Sequence, residues 1–156
     1  NRFDVAIAEY IRRKYNLAIG ERTAERIKID IGSALYMEER LAEEARGRDV
    51  ITGLPRTITV TSDDITDAIQ GELEGIIQAV KDVLHKTPPE LSADVIDKGI
   101  IMSGGSSLLR NIDQLITQVT GVPAYVADEP LFCVAKGTGI ALENLESYKR
   151  SILAIK

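Results

Sequence analysis

The stretch Gly99-Ile100-Ile101-Met102-Ser103-Gly104-Gly105-Ser106-Ser107-Leu108-Leu109 constrains the fold of this chain more than any other. A short apolar run enters a Gly-Gly pair. A stripe at Leu108, Ile112, Leu115 and Val119 leaves it at the helical period. The pattern predicts a buried strand, a tight turn and a helix in succession. Two glycines let the backbone approach a ligand that a Cβ would push away. Free N–H groups opening the next helix favour negative or polar ligand atoms. A flat or phosphorylated small molecule lying on the turn suits this geometry. A plain tight turn between two elements accounts for the pair equally well, so the remaining residues have to decide.

With 156 residues the chain makes one domain or two small subdomains, and its mixed charge and ordinary apolar content allow a core. A net charge of -5 argues against a nucleic-acid surface. The basic cluster Arg12-Arg13-Lys14 shares its helix with Glu9 and reads as a solvated face. Cys133 has no second cysteine to pair with, which fits a reducing cytoplasm. Cys133 and His85, one of each and far apart, give no basis for a zinc site or a Cys–His pair. No apolar run approaches the roughly 20 residues that span a bilayer. The chain opens in a helical pattern without Met or a signal peptide, so a fragment of a longer protein is expected.

Phe3, Ala6, Ile7, Tyr10 and Ile11 form one helical stripe, with Asn1 as a cap. Asn16 and Gly20 break the chain around Leu17-Ala18-Ile19. A second helix from about Thr23 carries a core stripe of Ala24, Ile27 and Ile31. Its neighbouring face shows Glu25, Lys28 and Gly32. An acid and an ammonium one turn apart can hold a vicinal diol, the one accepting and the other donating, while Gly32 leaves room for a planar ring. An exposed Glu–Lys pair near a helix end has the same spacing. Arg46 to Thr61 predicts a small peripheral β-hairpin around Gly53-Leu54-Pro55. Ser62-Asp63-Asp64 predicts a cap and an acidic first turn for a long helix. Its stripe is Ile65, Ile69, Leu73, Ile76, Val80, Val83 and Leu84, and it ends at Pro88-Pro89. Residues 91–96 form a short helical or irregular link. The helix after the Gly-Gly turn stops at Gly121. Val122 to Ala127 predicts a strand, Asp128-Glu129-Pro130 the start of a helix containing Gly137 and Gly139, and Tyr148 to Lys156 a terminal helix. The glycines inside that penultimate helix suggest close packing or a ligand edge. The whole reads as an α/β or α+β architecture.

The order of these pieces carries a resemblance. Phe3-Asp4 opens a helix, then come Glu25-Arg26-Ile27-Lys28, Ile31-Gly32-Ser33-Ala34, and the hairpin with Arg46-Gly47-Arg48-Asp49 and Gly53-Leu54-Pro55. Thr87-Pro88-Pro89-Glu90-Leu91, Ser103-Gly104-Gly105 and Val134-Ala135-Lys136-Gly137-Thr138-Gly139 follow. Over essentially its whole length the chain resembles the C-terminal half of MreB, the bacterial actin-like rod-shape family. The resemblance implies an RNase H-like half of an actin/Hsp70-type ATPase fold, a partial sheet with a small α+β insertion. It implies residues 1–19 and 62–156 as part of subdomain IIA and 20–61 as a subdomain IIB-like insertion. It further implies ATP, with Mg²⁺ in the full-length parent, held on this side of the cleft by Glu25, Lys28, Gly32, Gly104, Gly105 and Ser106. Ser106 replaces the family's usual third glycine. The family's phosphate loops, catalytic acid and first three strands of this half's sheet would precede residue 1, so no catalytic residue is assigned and this piece alone is expected to be inactive. By the same resemblance the protein forms filaments with copies of itself. It works with a RodZ-type membrane adaptor and the cell-wall elongation machinery, and touches the membrane only through the other half. An Hsp70-like chaperone or a sugar/acid kinase shares the adenosine motif and stands as the alternative.

Overall fold

The computed structural model describes residues 2–145; the expected Asn1 cap and the expected helix over 148–156 lie outside them. Helix α1 (Arg2–Tyr15) forms on the expected stripe, and Phe3, Ile7 and Ile11 enter the core one turn apart. Asn16 takes a left-handed φ of 53° and turns the chain into a two-residue strand β1 (Leu17–Ala18). Helix α2 (Glu21–Ile31) follows Gly20 and buries Ala24, Ile27 and Ile31, the stripe read from sequence.

Strands β2 (Ala42–Asp49) and β3 (Pro55–Thr61) make the expected hairpin, with Ala45 opposite Ile58. Strand β1, upstream of the expected insertion, joins them antiparallel with Leu17 opposite Asp49, giving the order β1-β2-β3. Asp49 organises the turn. Its Oδ1 accepts from the N–H groups of Ile51 and Thr52 at 2.9 Å each, and its Oδ2 pairs with Arg56. Leu17, Ala45 and Val60 bury one face of this sheet against the helices.

Helix α3 (Ser62–Lys86) begins one residue earlier than expected. Thr61 is its cap, not Ser62, because the Thr61 side chain accepts from the Asp64 N–H while the Asp64 carboxylate accepts from the Thr61 N–H, a reciprocal capping box. Only the front of the expected stripe is buried: Ile65, Ile69 and Leu73 enter the core, whereas Val83 is exposed. The link after it is a regular helix, α4 (Pro89–Lys98), with Pro89 in the first turn where its missing N–H costs nothing.

Strands β4 (Ile100–Met102) and β5 (Ala124–Val126) pair in parallel, Ile101 opposite Tyr125. The segment between them departs from expectation. The Gly-Gly pair opens into a four-residue 3₁₀ turn (Gly105–Leu108), and helix α5 (Ile112–Thr120) starts only after a left-handed Asn111. Its buried residues are Ile112 and Ile116, while Leu108 faces outward. The next helix also starts late. Residues 128–132 form a turn in which Glu129 has a φ of 48°, and α6 (Cys133–Glu143) begins after it, so Pro130 precedes the helix. The close packing expected around Gly137 and Gly139 is absent among the described residues: a Cβ at either would meet nothing within 4 Å. Helix α6 buries no side chain, and Val134 and Leu142 are exposed. One cluster unites α1, α2, α3, α5 and the β1-β2-β3 sheet.

Candidate functional site

The late start of α5 changes what the Gly-Gly turn can offer. In place of a helix N-terminus there is a four-residue 3₁₀ turn, in which the Ser107 N–H already donates to the Gly104 carbonyl at 3.2 Å. The turn is instead pinned internally. Gly104 has a φ of 85°, which favours glycine, and its N–H donates to the Pro130 carbonyl at 2.8 Å. The buried Ser107 hydroxyl donates to the Gly104 carbonyl at 2.7 Å. Gly105 and Ser106 are left exposed at the outside of the bend. A Cβ on Gly105 would come within 3.2 Å of the Leu131 side chain, so glycine keeps that space open.

This bend forms one wall of a pocket of about 450 Å³, and α2 forms the other. Glu25, Lys28 and Gly32 from α2 line it together with Gly105 and Ser106. Five of the six residues singled out in the sequence therefore meet, although about seventy positions separate the two groups. Gly104 is outside the lining and serves the turn. The volume lies within the usual range for small-molecule pockets.

The polar side of the pocket is Glu25 and Lys28. The Glu25 side chain is exposed, an unobstructed acceptor. Lys28 is 12% exposed and its ammonium donates to Asp4 Oδ1 at 2.7 Å, with Asp4 itself 7% exposed. The ion pair fixes the ammonium at the pocket edge, and an ammonium has three donors, of which Asp4 takes one. Gly32 has a reason beyond leaving room for a ring: a Cβ there would collide with the Lys28 carbonyl, so the chain can leave α2 at this angle only with glycine. The apolar side is Ile29, Leu108 and Leu131, all exposed large aliphatic residues, over a floor that includes Phe3. An acid and an ammonium beside flat aliphatic walls can hold a hydroxylated ring attached to a planar apolar one.

The sequence reading missed Asp4, Ile29, Leu108, Leu131 and Arg110. Ile29 carried a usable signal, being a β-branched residue off the core stripe on an otherwise polar face. Leu108 was misassigned to the core because a continuous helix was expected through it. Arg110 and Asp4 act through partners distant in sequence and carried none.

The β4/β5 pair with its flanking helices, and the β2-β3 hairpin packed on α2, are the arrangement of an actin-like protein. Crystal structures of MreB5 of Spiroplasma citri, one bound to AMPPNP and one to ADP, superpose with TM-scores of 0.89 and 0.90 at 35% identity. They cover 97% and 96% of this chain, and the chain covers 45% and 46% of theirs. A double-helical filament of MamK shares the fold at a TM-score of 0.69 and 18% identity. A family model described as MreB/Mbl protein matches residues 1–150, and the chain belongs to that family. It is 50% identical over 153 residues to the cell shape-determining protein Mbl of Bacillus cereus and 47% identical over 148 residues to the cell shape-determining protein MreB of Escherichia coli. These matches cover 98% and 95% of this chain, which spans 46% and 43% of the two relatives' lengths.

Proposed function

We propose that this chain is the nucleotide-binding C-terminal part of an actin-like, ATP-binding protein whose filaments maintain bacterial rod shape. The observation that carries the reading is the shared pocket. Glu25, Lys28 and Gly32 on α2, and Gly105 and Ser106 on the Gly-Gly bend, converge on one cavity with a polar and an aliphatic side. The cavity suits the adenosine end of ATP. Glu25 would accept from the ribose hydroxyls, Lys28 would donate to them, and Ile29 and Leu108 would cover the base. Relatives named for binding AMPPNP and ADP support this assignment.

Among the described residues no group of three or more His, Cys, Asp or Glu side chains is placed to hold a metal ion. Mg²⁺ would therefore enter with the nucleotide phosphates and owe its protein ligands to other parts of the full-length protein. Filament formation is part of the proposal; the relatives are named cell shape-determining proteins, and MamK, which shares the fold, forms a double-helical filament. A cytoplasmic protein bound to the membrane through a RodZ-type adaptor, and working with the cell-wall elongation machinery, completes the proposal.

The test is equilibrium binding of labelled ATP to the full-length gene product with Mg²⁺ present. Saturable binding is expected, and Gly105→Asp should weaken it by about tenfold or more by placing a carboxylate in the cavity. Melting temperature should hold, because Gly105 is exposed. Sedimentation should show ATP-dependent pelleting that Gly105→Asp reduces. An unsubstituted protein that does not bind ATP overturns the reading.

A further inference from the structure

The two walls of the pocket are joined at one point by a set of polar contacts. Arg110 Nη1 donates to the Ile29 carbonyl at 3.0 Å and to the Gly32 carbonyl at 3.4 Å. Both acceptors lie at the end of α2, where carbonyls lack partners within the helix and positive charge suits the helix dipole. The Arg110 carbonyl in turn accepts from the Ala34 N–H at 2.8 Å, within a parallel bridge between Ser33 and Arg110. Asn111, at a left-handed φ of 61°, donates from Nδ2 to Ser33 Oγ at 2.9 Å. Ser33 is fully buried, and its carbonyl accepts from the Thr66 hydroxyl of α3 at 3.0 Å.

Among the described residues, these are the hydrogen bonds that tie the two walls to each other directly. Ser33 follows Gly32 directly, one turn or so beyond Lys28. Arg110 and Asn111 follow Ser106 by four and five positions. A shift of Arg110 relative to Ser33 would move the bend against α2 and change the distance between Glu25 and Gly105. Among the described residues no other hydrogen bond joins α2 to the segment from the Gly-Gly bend to α5. Arginine suits the role because one guanidinium can serve two carbonyls while its charge faces the helix end.

We propose that Arg110 and Asn111, closing on Ser33, form a latch that sets the spacing between α2 and the Gly-Gly bend, with Arg110 a positioning residue for the nucleotide pocket. The effect on affinity rests on the nucleotide reading above; the latch itself does not.

The experiment separates the two. Spin labels at Arg22, exposed on the first turn of α2, and Gln118, exposed on α5, report the spacing in the full-length gene product with its native cysteines, Cys133 included, changed to serine. Distance distributions are recorded without nucleotide and with ATP. The unsubstituted protein should give one narrow distribution. Arg110→Ala and Asn111→Gly should each broaden it, Arg110→Lys less so, and ATP should narrow it again. ATP affinity should fall on the order of tenfold in Arg110→Ala. Distributions unchanged in both Arg110→Ala and Asn111→Gly overturn the latch. Broadening with unchanged affinity overturns the positioning role. Broadening in a protein whose unsubstituted form binds no ATP keeps the latch and removes the nucleotide reading. Should Arg110→Ala fail to fold, Asn111→Gly carries the test, since glycine adopts the left-handed φ readily.

Discussion

Asp64 is the residue at which α1, the end of β3 and the start of α3 meet. Its carboxylate accepts from the Lys14 ammonium at 2.6 Å, the Tyr15 hydroxyl at 2.9 Å and the Thr61 N–H at 2.9 Å. Burial pushes its pKa up, but the hydrogen bonds from Lys14, Thr61 and Tyr15 together outweigh burial and hold it below the ordinary value. A carboxyl depressed in the folded state contributes stability that is present above its unfolded pKa, near 3.9, and is lost as pH falls through the lower folded value. Denaturant midpoints measured from pH 7 to pH 2 should therefore drop steeply below about pH 4, and Asp64→Asn should be less stable at neutral pH with a flatter acid limb. Thr61→Ala, which loses one half of the cap and the hydroxyl that donates to the Asp64 carboxylate at 3.0 Å, should cost about 1 kcal/mol at neutral pH and less once Asp64 is protonated. A second contrast concerns the pocket. Lys28→Ala removes the ammonium that pairs with the buried Asp4 carboxylate and should lower the urea midpoint. Glu25→Gln, on an exposed side chain, should leave stability unchanged while weakening ATP binding. At this scale the sequence was readable where spacing alone placed a side chain. Glu25 and Lys28 fall on one helical face in any α2. Asp4 was not readable as the partner of Lys28, because that pair depends on how α1 packs on α2.

Elements were legible in proportion to how locally they are specified. Helices α1 and α2 have unbroken stripes and clear breaks at Asn16 and Gly20, and both appear as read. The hairpin declared itself through its β-branched run and Gly-Leu-Pro turn. Helix starts were less legible where a side chain bonds backward. The Ser107 hydroxyl bound to the Gly104 carbonyl favours a 3₁₀ turn where a helix was expected, and the left-handed Glu129 delays α6 past Pro130. Glycines inside helices divide in the same way. A Cβ at Gly71 or Gly75 in α3 would meet nothing within 4 Å, and neither residue has a positive φ. Gly71→Ala and Gly75→Ala should each stabilise by about 0.5–1 kcal/mol, the helix cost of glycine relative to alanine. Gly32→Ala should do the reverse, because its Cβ would meet the Lys28 carbonyl. Thermal melts of the three variants check both signs; a stabilised Gly32→Ala would mean that α2 ends differently.

At the scale of the whole molecule, apolar surface is distributed unevenly. The core lies among α1, α2 and the front of α3, whereas the β4/β5 pair and the segment through α6 leave Ile101, Tyr125, Phe132, Val134 and Leu142 exposed. Ile100, Met102 and Ala124 pack this pair on the core while Ile101 and Tyr125 stay exposed; parallel strands with one face open are unusual, and open strand edges pair with other chains. The 156-residue chain by itself should therefore self-associate in a concentration-dependent way, as read by light scattering; a strict monomer at high concentration would count against this. Longest of the elements is α3, about 37 Å from end to end at 1.5 Å per residue. Its first three turns are clasped by the core and by the Thr61–Asp64 box, and its last three have no fully buried side chain. Such a rod is not one unit in time. Amide protons over 62–73 are shielded by the global unfolding barrier, while those over 76–86 need only local fraying to reach water. Deuterium should enter the far end of this single continuous helix orders of magnitude sooner than the near end, with the break falling just after Leu73.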